Sequence, residues 1–334
     1  MINKMDDMYD YRFNINYYGA DYPVDALVRK LEMDEIYIPN FQRQYIWKVN
    51  EASLFIESLL FGLPVPTVFL AKDKYTNKLL IIDGQQRLKT LLYFIRGSFP
   101  DNRNFKLTGV IPQFNGLTFD QLGSRDRYNL LDYTIHATII AESGDDNRMY
   151  YLFERLNTTG TPLTSQEIRN AIYHGPFCDL IGVLSQIDNW IEMYGKKERR
   201  LRDQELILRF FALHYSLDEY SGDMKEFLNR FMLGNRTLDN IHHNELEKLF
   251  SNTIEIIYKT LGSDAFKISK QFNTALYEVV MLTISKLGNI INENKITKWH
   301  EELKENYDFK TLIQARTTNR ESLLRRVEFA KKML

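Results

Sequence analysis

Apolar residues recur along this chain with two different periods, and the place where one gives way to the other divides it. In the first part the helical and strand periods are mixed. Over residues 23–33, Val24, Leu27, Val28 and Leu31 fall on one helical face. Residues 35–39 predict a short strand ended by Pro39. Asn50 is a suitable cap for a helix with Leu54, Phe55, Leu59 and Leu60 in one stripe, stopped at Gly62. Residues 67–71 and 78–82 predict two strands around the polar turn 72–77. The helical period returns over 85–96 with Gly97 as its stop, and 133–140 alternates partially, as a further strand does.

Beyond about residue 176 the pattern is almost purely helical. Segments 204–217, 224–233, 244–261, 274–287, 297–306 and 320–333 all carry the helical period, joined by short polar loops as in a helical bundle. The expected fold class is α+β, with a mixed domain over 1–175 and an all-α helical domain over 176–334.

Composition narrows the function classes. The chain has 334 residues, 44% of them hydrophobic, enough for two cores. It contains no apolar run of transmembrane length, and residues 1–10 are acidic where a signal peptide needs a basic start. A cytoplasmic protein is expected. The single cysteine, Cys178, excludes an internal disulfide and a cysteine-based zinc cluster, and its apolar surroundings predict a buried small hydrophobe. The net charge of −1 supplies no global field for nucleic acid or acidic membrane.

Candidate chemistry concentrates where strand 78–82 meets helix 85–96, in Asp83-Gly84-Gln85-Gln86-Arg87. A strand turning through glycine into a helix presents backbone N–H groups without intrahelical partners, beside the positive end of the helix dipole. That arrangement suits an anion, most often phosphate. Gly84 permits close backbone approach, Arg87 lies one turn in with a bidentate guanidinium, and Asp83 is placed to hold a metal ion or orient water. The plain alternative is an ordinary βα turn, with Asp83 as helix cap and Arg87 paired to a carboxylate.

A second polar segment, 157–162, precedes Thr164-x-x-Glu167, the signature of a capping box opening a helix. The densest basic run is 196–202, with lysine or arginine at 196, 197, 199, 200 and 202. Such runs are usually solvated faces, and this one is the best place for a contact with a phosphate backbone. His242-His243-Asn244 precedes a helix that Asn244 is suited to cap; a nuclease histidine belongs on a ββα-metal unit, and the pattern here is helical. There is no Walker lysine motif and no Gly-x-Gly, so the turn is not a P-loop or dinucleotide-fold site.

Three blocks occur in one order: Ile38-Pro39-Asn40-Phe41-Gln42-Arg43-Gln44-Tyr45-Ile46-Trp47, then Glu57-Ser58-Leu59-Leu60-Phe61-Gly62-Leu63-Pro64-Val65-Pro66, then Asp83-Gly84-Gln85-Gln86-Arg87. Together they resemble the N-terminal domain of GmrSD-type, modification-dependent (type IV) restriction enzymes, and residues 157–171 resemble that family's next block. The resemblance implies a ParB/sulfiredoxin-like domain that places a Gly-x-x-Arg turn on a nucleotide phosphate. The reactive cysteine of sulfiredoxin is Gln85 here, which excludes sulfinic-acid repair.

It further implies a nucleotide-binding, NTP-hydrolysing regulatory component of a prokaryotic DNA restriction or anti-phage defence system. The cofactor implied is an NTP of undefined base with Mg2+. Asp83, Gln86 and Arg87 would be catalytic, and Arg43, Gly84, Gln85, Arg87 and Asn157 would bind the nucleotide. Asp83 would be the metal ligand, with Glu167 a weaker carry-over. Partners implied besides nucleotide are DNA, modified or phage-derived, a separate nuclease subunit and further copies in an oligomer. Larger members carry a C-terminal His-Asn-His nuclease that this sequence does not resemble. The alternative is a non-catalytic DNA- or partner-binding module that recruits a separate nuclease.

Overall fold

The computed structural model describes residues 16–37, 45–72, 77–141, 146–156, 163–195, 200–287, 293–314 and 318–334. It divides into two compact units, one up to Pro162 and one from Leu163.

The first unit is a five-stranded mixed sheet with helices on it. Its strands are β1 (Tyr17–Pro23), β2 (Ile36–Tyr37), β3 (Val68–Lys72), β4 (Leu79–Asp83) and β5 (Thr134–Ile140). They lie in the order β1-β5-β3-β4-β2, antiparallel at β1–β5 and β3–β4 and parallel at β5–β3 and β4–β2. Helices α1 (Val24–Glu32), α2 (Val49–Leu60) and α3 (Gln85–Arg96) bury Val24, Leu27, Ala52, Ile56, Leu88, Leu91 and Phe94 against Val68, Leu70, Ile81, Ile135 and Ile139 of the sheet. Strand alternation turns Leu80 and Ile82 the other way. α4 (Ser124–Asp132) packs on α1 and α2, and α5 (Asp146–Leu156) packs on β4.

Most elements fall where the apolar periods put them, and the exceptions have physical reasons. β1 carries no apolar alternation because it is an edge strand: Tyr17 and Tyr18 are exposed, and its pairing with β5 comes from far along the chain. Asn50 is not a cap. It lies inside α2, whose cap is Lys48, and Glu51 Oε2 accepts the Lys48 backbone N–H at 2.7 Å. Asn244 likewise lies inside its helix, one residue past the start.

The second unit contains α6 (Ser165–Ile172), α7 (Pro176–Leu184), α8 (Asp188–Tyr194), α9 (Arg202–Ser216), α10 (Met224–Gly234), α11 (His243–Leu261), α12 (Thr274–Leu287), α13 (Glu293–Glu305), α14 (Tyr307–Gln314) and α15 (Arg320–Met333). A two-stranded hairpin, β6 (Lys267–Ile268) and β7 (Gln271–Phe272), precedes α12. Thr164 caps α6 and accepts the Glu167 N–H at 3.2 Å, while Glu167 Oε2 accepts the Thr164 N–H at 2.6 Å, completing the capping box. Among the described residues, no helix is long and apolar enough to cross a membrane.

A run of alternating charges crosses this helical core. Arg169 of α6 donates to Glu205 of α9 at 3.0 Å and to Asn229 of α10 at 2.7 Å. Arg209 of α9 bridges Glu205 and Glu278, at 3.4 and 2.8 Å, and Arg326 of α15 donates to the other Glu278 oxygen at 2.9 Å. Arg169, Glu278 and Arg326 are buried. α6 is therefore polar toward the helical unit, which explains why it groups with that unit.

Glu278→Ala removes the carboxylate that the Arg209 and Arg326 guanidinium groups share. Removing one partner of a buried pair costs about 3–5 kcal/mol, so urea unfolding of this variant is expected to show a clearly lowered midpoint.

Candidate functional site: the β4–α3 turn and the adjoining cleft

The β4–α3 turn begins with a register irregularity. Phe69 pairs with Asp83 but Leu70 pairs with Ile81, so one extra residue is accommodated on β4 just before the turn. Gly84 follows with φ +96°, the left-handed region, and is the cap residue of α3. Gly84 itself has no side chain with which to cap the helix. A Cβ on Gly84 would stand 2.6 Å from Val68 Cγ1, so both the backbone angle and the close approach of β3 require glycine. At the other end Gly97, φ +76°, stops α3 in the same region.

Asp83 and Arg87 meet one turn apart. Arg87 Nη2 donates to Asp83 Oδ2 at 2.8 Å, and both side chains are largely buried, at 13% and 23% exposure. The guanidinium also donates to the carbonyls of Pro66 and Thr67. Burial lowers the Arg87 pKa and Asp83 opposes that effect. Arg87 thus ties the end of β4 to the approach to β3. Of the two sequence alternatives for Arg87, the carboxylate partner is realised, and it is Asp83 itself.

Gln86 is equally committed. Its Oε1 accepts the backbone N–H groups of Ile46 and Trp47 at 3.0 and 3.3 Å. One turn on, Thr90 Oγ1 and the Tyr45 hydroxyl are 2.7 Å apart. Both contacts hold residues 45–47 onto α3. The structure therefore brings Asp83, Gly84, Gln85, Gln86 and Arg87 into one turn. Arg43 and Asn157 lie outside the described residues. Glu167, fully buried, belongs to the second unit and serves its capping box and Arg200, 3.4 Å away.

Sequence reasoning passed over a cleft of about 820 Å³ along α3, lined by Tyr45, Trp47, Lys48, Lys89, Tyr93 and Arg103 among others. Its residues come from three separated segments, and only the aromatic residues around position 45 and the basic and aromatic residues at 89 and 93 hinted at it. Burial pushes the Lys89 amine down to about 8 and the Tyr45 hydroxyl up to about 12, the latter despite its hydrogen bond to Thr90.

The other singled-out residues sit in plain settings. Cys178 is a buried thiol whose pKa burial pushes up to about 12. His242 and His243 stand at the start of α11, and His243 lies 3.8 Å from Glu247. Of the basic run, Arg200 turns to Glu167 and Arg202 opens α9; residues 196–199 lie outside the described ones. Among the described residues, no group of three or more His, Cys, Asp and Glu side chains gathers as metal ligands do.

Residues 26–174 match the family described as GmrSD restriction endonuclease, N-terminal domain. This segment is similar to a GmrSD-type N-terminal domain. The match takes in the sheet from α1 onward, the β4–α3 turn and the cleft, and continues through α6. No curated protein matches the chain.

Two outcomes follow from this geometry. Gly84→Ala adds left-handed strain and overpacking against Val68, a combined cost of about 2–4 kcal/mol, and Val68→Ala relieves only the steric share in thermal melts. Lys89, depressed in the folded state, penalises folding while charged. The penalty is full below about pH 8 and is relieved as pH rises toward the ordinary lysine value. Lys89→Met is expected to be more stable than the natural chain at pH 7, with the difference shrinking above pH 8 in urea unfolding.

Proposed function

We propose that the GmrSD-type domain binds a nucleoside triphosphate at the β4–α3 turn, and that the chain is a regulatory component of a prokaryotic DNA restriction or anti-phage defence system. The match to a restriction-endonuclease domain supports the system. The observation that carries the nucleotide reading is the turn of β4 into α3 through a left-handed Gly84, which has no side chain of its own to cap the helix. There the first-turn N–H groups have no intrahelical acceptors, and the helix dipole favours an anion.

In this reading the backbone N–H groups of Gln85 and Gln86 hold phosphate oxygens and the Arg87 charge, one turn away, adds to the positive potential. Asp83 suits a magnesium ion carried mainly by the phosphates: Arg87 engages only Oδ2, and Oδ1 has no hydrogen-bond partner among the described residues. Bound there, the ion supplies charge neutralisation at the phosphates. Arg43 and Asn157 are the further phosphate and nucleotide contacts that the family likeness suggests. DNA and a separate nuclease subunit are the partners such a component regulates, in the cytoplasm.

One observation favours binding without turnover. Arg87 is already committed to Asp83 and two backbone carbonyls, so following charge that develops on a phosphoryl group would cost it those bonds. The alternative of a non-catalytic module that recruits a nuclease rests on that.

The test is calorimetry and phosphate release with ATP, GTP, CTP and UTP plus magnesium, for the natural chain and for Asp83→Asn and Arg87→Ala checked for folding by thermal melts. Saturable binding of at least one nucleotide is expected, weakened in Arg87→Ala, which removes one positive charge from beside the helix start and frees Asp83 from its partner. Phosphate release that disappears in Asp83→Asn identifies a hydrolase. Binding without release identifies a sensor. Absence of binding overturns the nucleotide reading.

A further inference from the structure

α3 presents two different faces at the site. Successive residues turn about 100° on a helix, so Arg87, tied to Asp83 at the end of β4, lies on one face while Gln86, Lys89, Thr90 and Tyr93 share another. The cleft opens along the second face. Arg87 therefore points away from it, and the cleft has its own cations.

Its walls are built in advance of any ligand. Gln86 holds the backbone of Ile46 and Trp47, and Thr90 holds the Tyr45 hydroxyl, which fixes one wall. The opposite wall is a turn in which the Phe99 N–H donates to the Arg103 carbonyl at 2.9 Å and Phe99 stacks on Phe105 at 4.3 Å between centroids. Between them stand the rings of Tyr45, Trp47, Tyr93 and Phe99. Among the described lining residues the charged groups are Lys48, Lys89 and Arg103 against Asp101, and Asp101 is held by Arg103 at 2.6 Å. The Arg103 guanidinium lies 5.5 Å from the Phe99 ring centre. Aromatic walls with a surplus of positive charge fit a planar, anionic guest.

We propose that this cleft holds the base and sugar of the nucleotide, stacked against Trp47 and Tyr93, with Lys48, Lys89 and Arg103 meeting its negative charge. This rests on the nucleotide reading and deepens it. Tyr93 lies seven residues beyond Gln86, about 10 Å along the helix, so one nucleotide spans from the α3 start into the cleft. Selection among bases then belongs to the segments at 45–49 and 99–103, not to the Asp83–Arg87 turn.

Trp47 is a built-in reporter. The chain has three tryptophans, and the other two, Trp190 and Trp299, are buried at 0% and 2% exposure. The experiment follows tryptophan emission of the full chain during titration with each of the four nucleoside triphosphates, with inorganic triphosphate and with a short single-stranded oligonucleotide. Calorimetry runs in parallel on Trp47→Phe, Tyr93→Ala and Lys89→Met. Saturable quenching by at least one nucleoside triphosphate is expected, with none by inorganic triphosphate. Trp47→Phe should lose the optical signal, which identifies Trp47 as its source. Tyr93→Ala and Lys89→Met should each bind about tenfold more weakly, as loss of one stacking or charge contact implies.

Nucleotide binding without quenching, and unchanged in Tyr93→Ala and Lys89→Met, overturns this inference while leaving nucleotide binding at the turn intact. Quenching by the oligonucleotide alone overturns it in favour of a base presented by DNA. No binding of any nucleotide overturns it together with the reading on which it rests.

Discussion

The first turn of α3 is anchored by two adjacent side chains that reach in different directions. Arg87 reaches the Asp83 carboxylate and the Pro66 and Thr67 carbonyls, and so joins the end of β4 to the chain entering β3. Gln86 reaches the opposite way, to the backbone leading into α2. Neither anchor is replaceable by packing, because both satisfy polar backbone groups at the edge of the core, and an unsatisfied buried polar group costs about 1–3 kcal/mol. The left-handed Gly84 permits this, since only glycine fits between the turn and Val68. The cleft wall, the helix start and the β3–β4 pairing thus share one local cause.

The helical unit solves a different problem. Its core takes in guanidinium groups and must give each a carboxylate, which it does with two glutamates serving three arginines in a line from α6 to α15. Such a line contributes little net stability, because desolvation of the charges offsets their attraction. Its effect is on uniqueness. A shift of α12 by one turn against α9 or α15 would take Glu278 away from both Arg209 and Arg326.

What could be read from sequence was whatever lies within a turn or two along the chain. α3 was legible from its period and from Gly97, as was the capping box at Thr164 and Glu167, because those interactions span three or four residues. α12 and α15 were legible at both ends for the same reason. β1 was not, because an exposed edge strand has no apolar alternation, and Asn50 and Asn244 misled because a good capping residue is also tolerated in the first turn. At the site, the Asp83–Arg87 segment stood out, but its wiring did not. The carbonyl partners of Arg87 lie about twenty residues back, those of Gln86 about forty, and the cleft draws on three segments that only the fold assembles.

The strand order carries a consequence for how the first unit comes into being. β5 is the last strand of the five-stranded sheet in sequence yet lies between β1 and β3, pairing Tyr17 with Ile140 and Val68 with Ala137. During synthesis the β3–β4 hairpin emerges with one flank bare, and β1 waits without any partner. At ribosomal speeds that interval lasts on the order of several seconds. An unpaired β3 flank carrying Val68 and Leu70 is an invitation to foreign strands. The nascent chain therefore passes through its most vulnerable moment just before β5 arrives, and a chaperone that shields that hairpin would raise the yield of protein without touching its final stability.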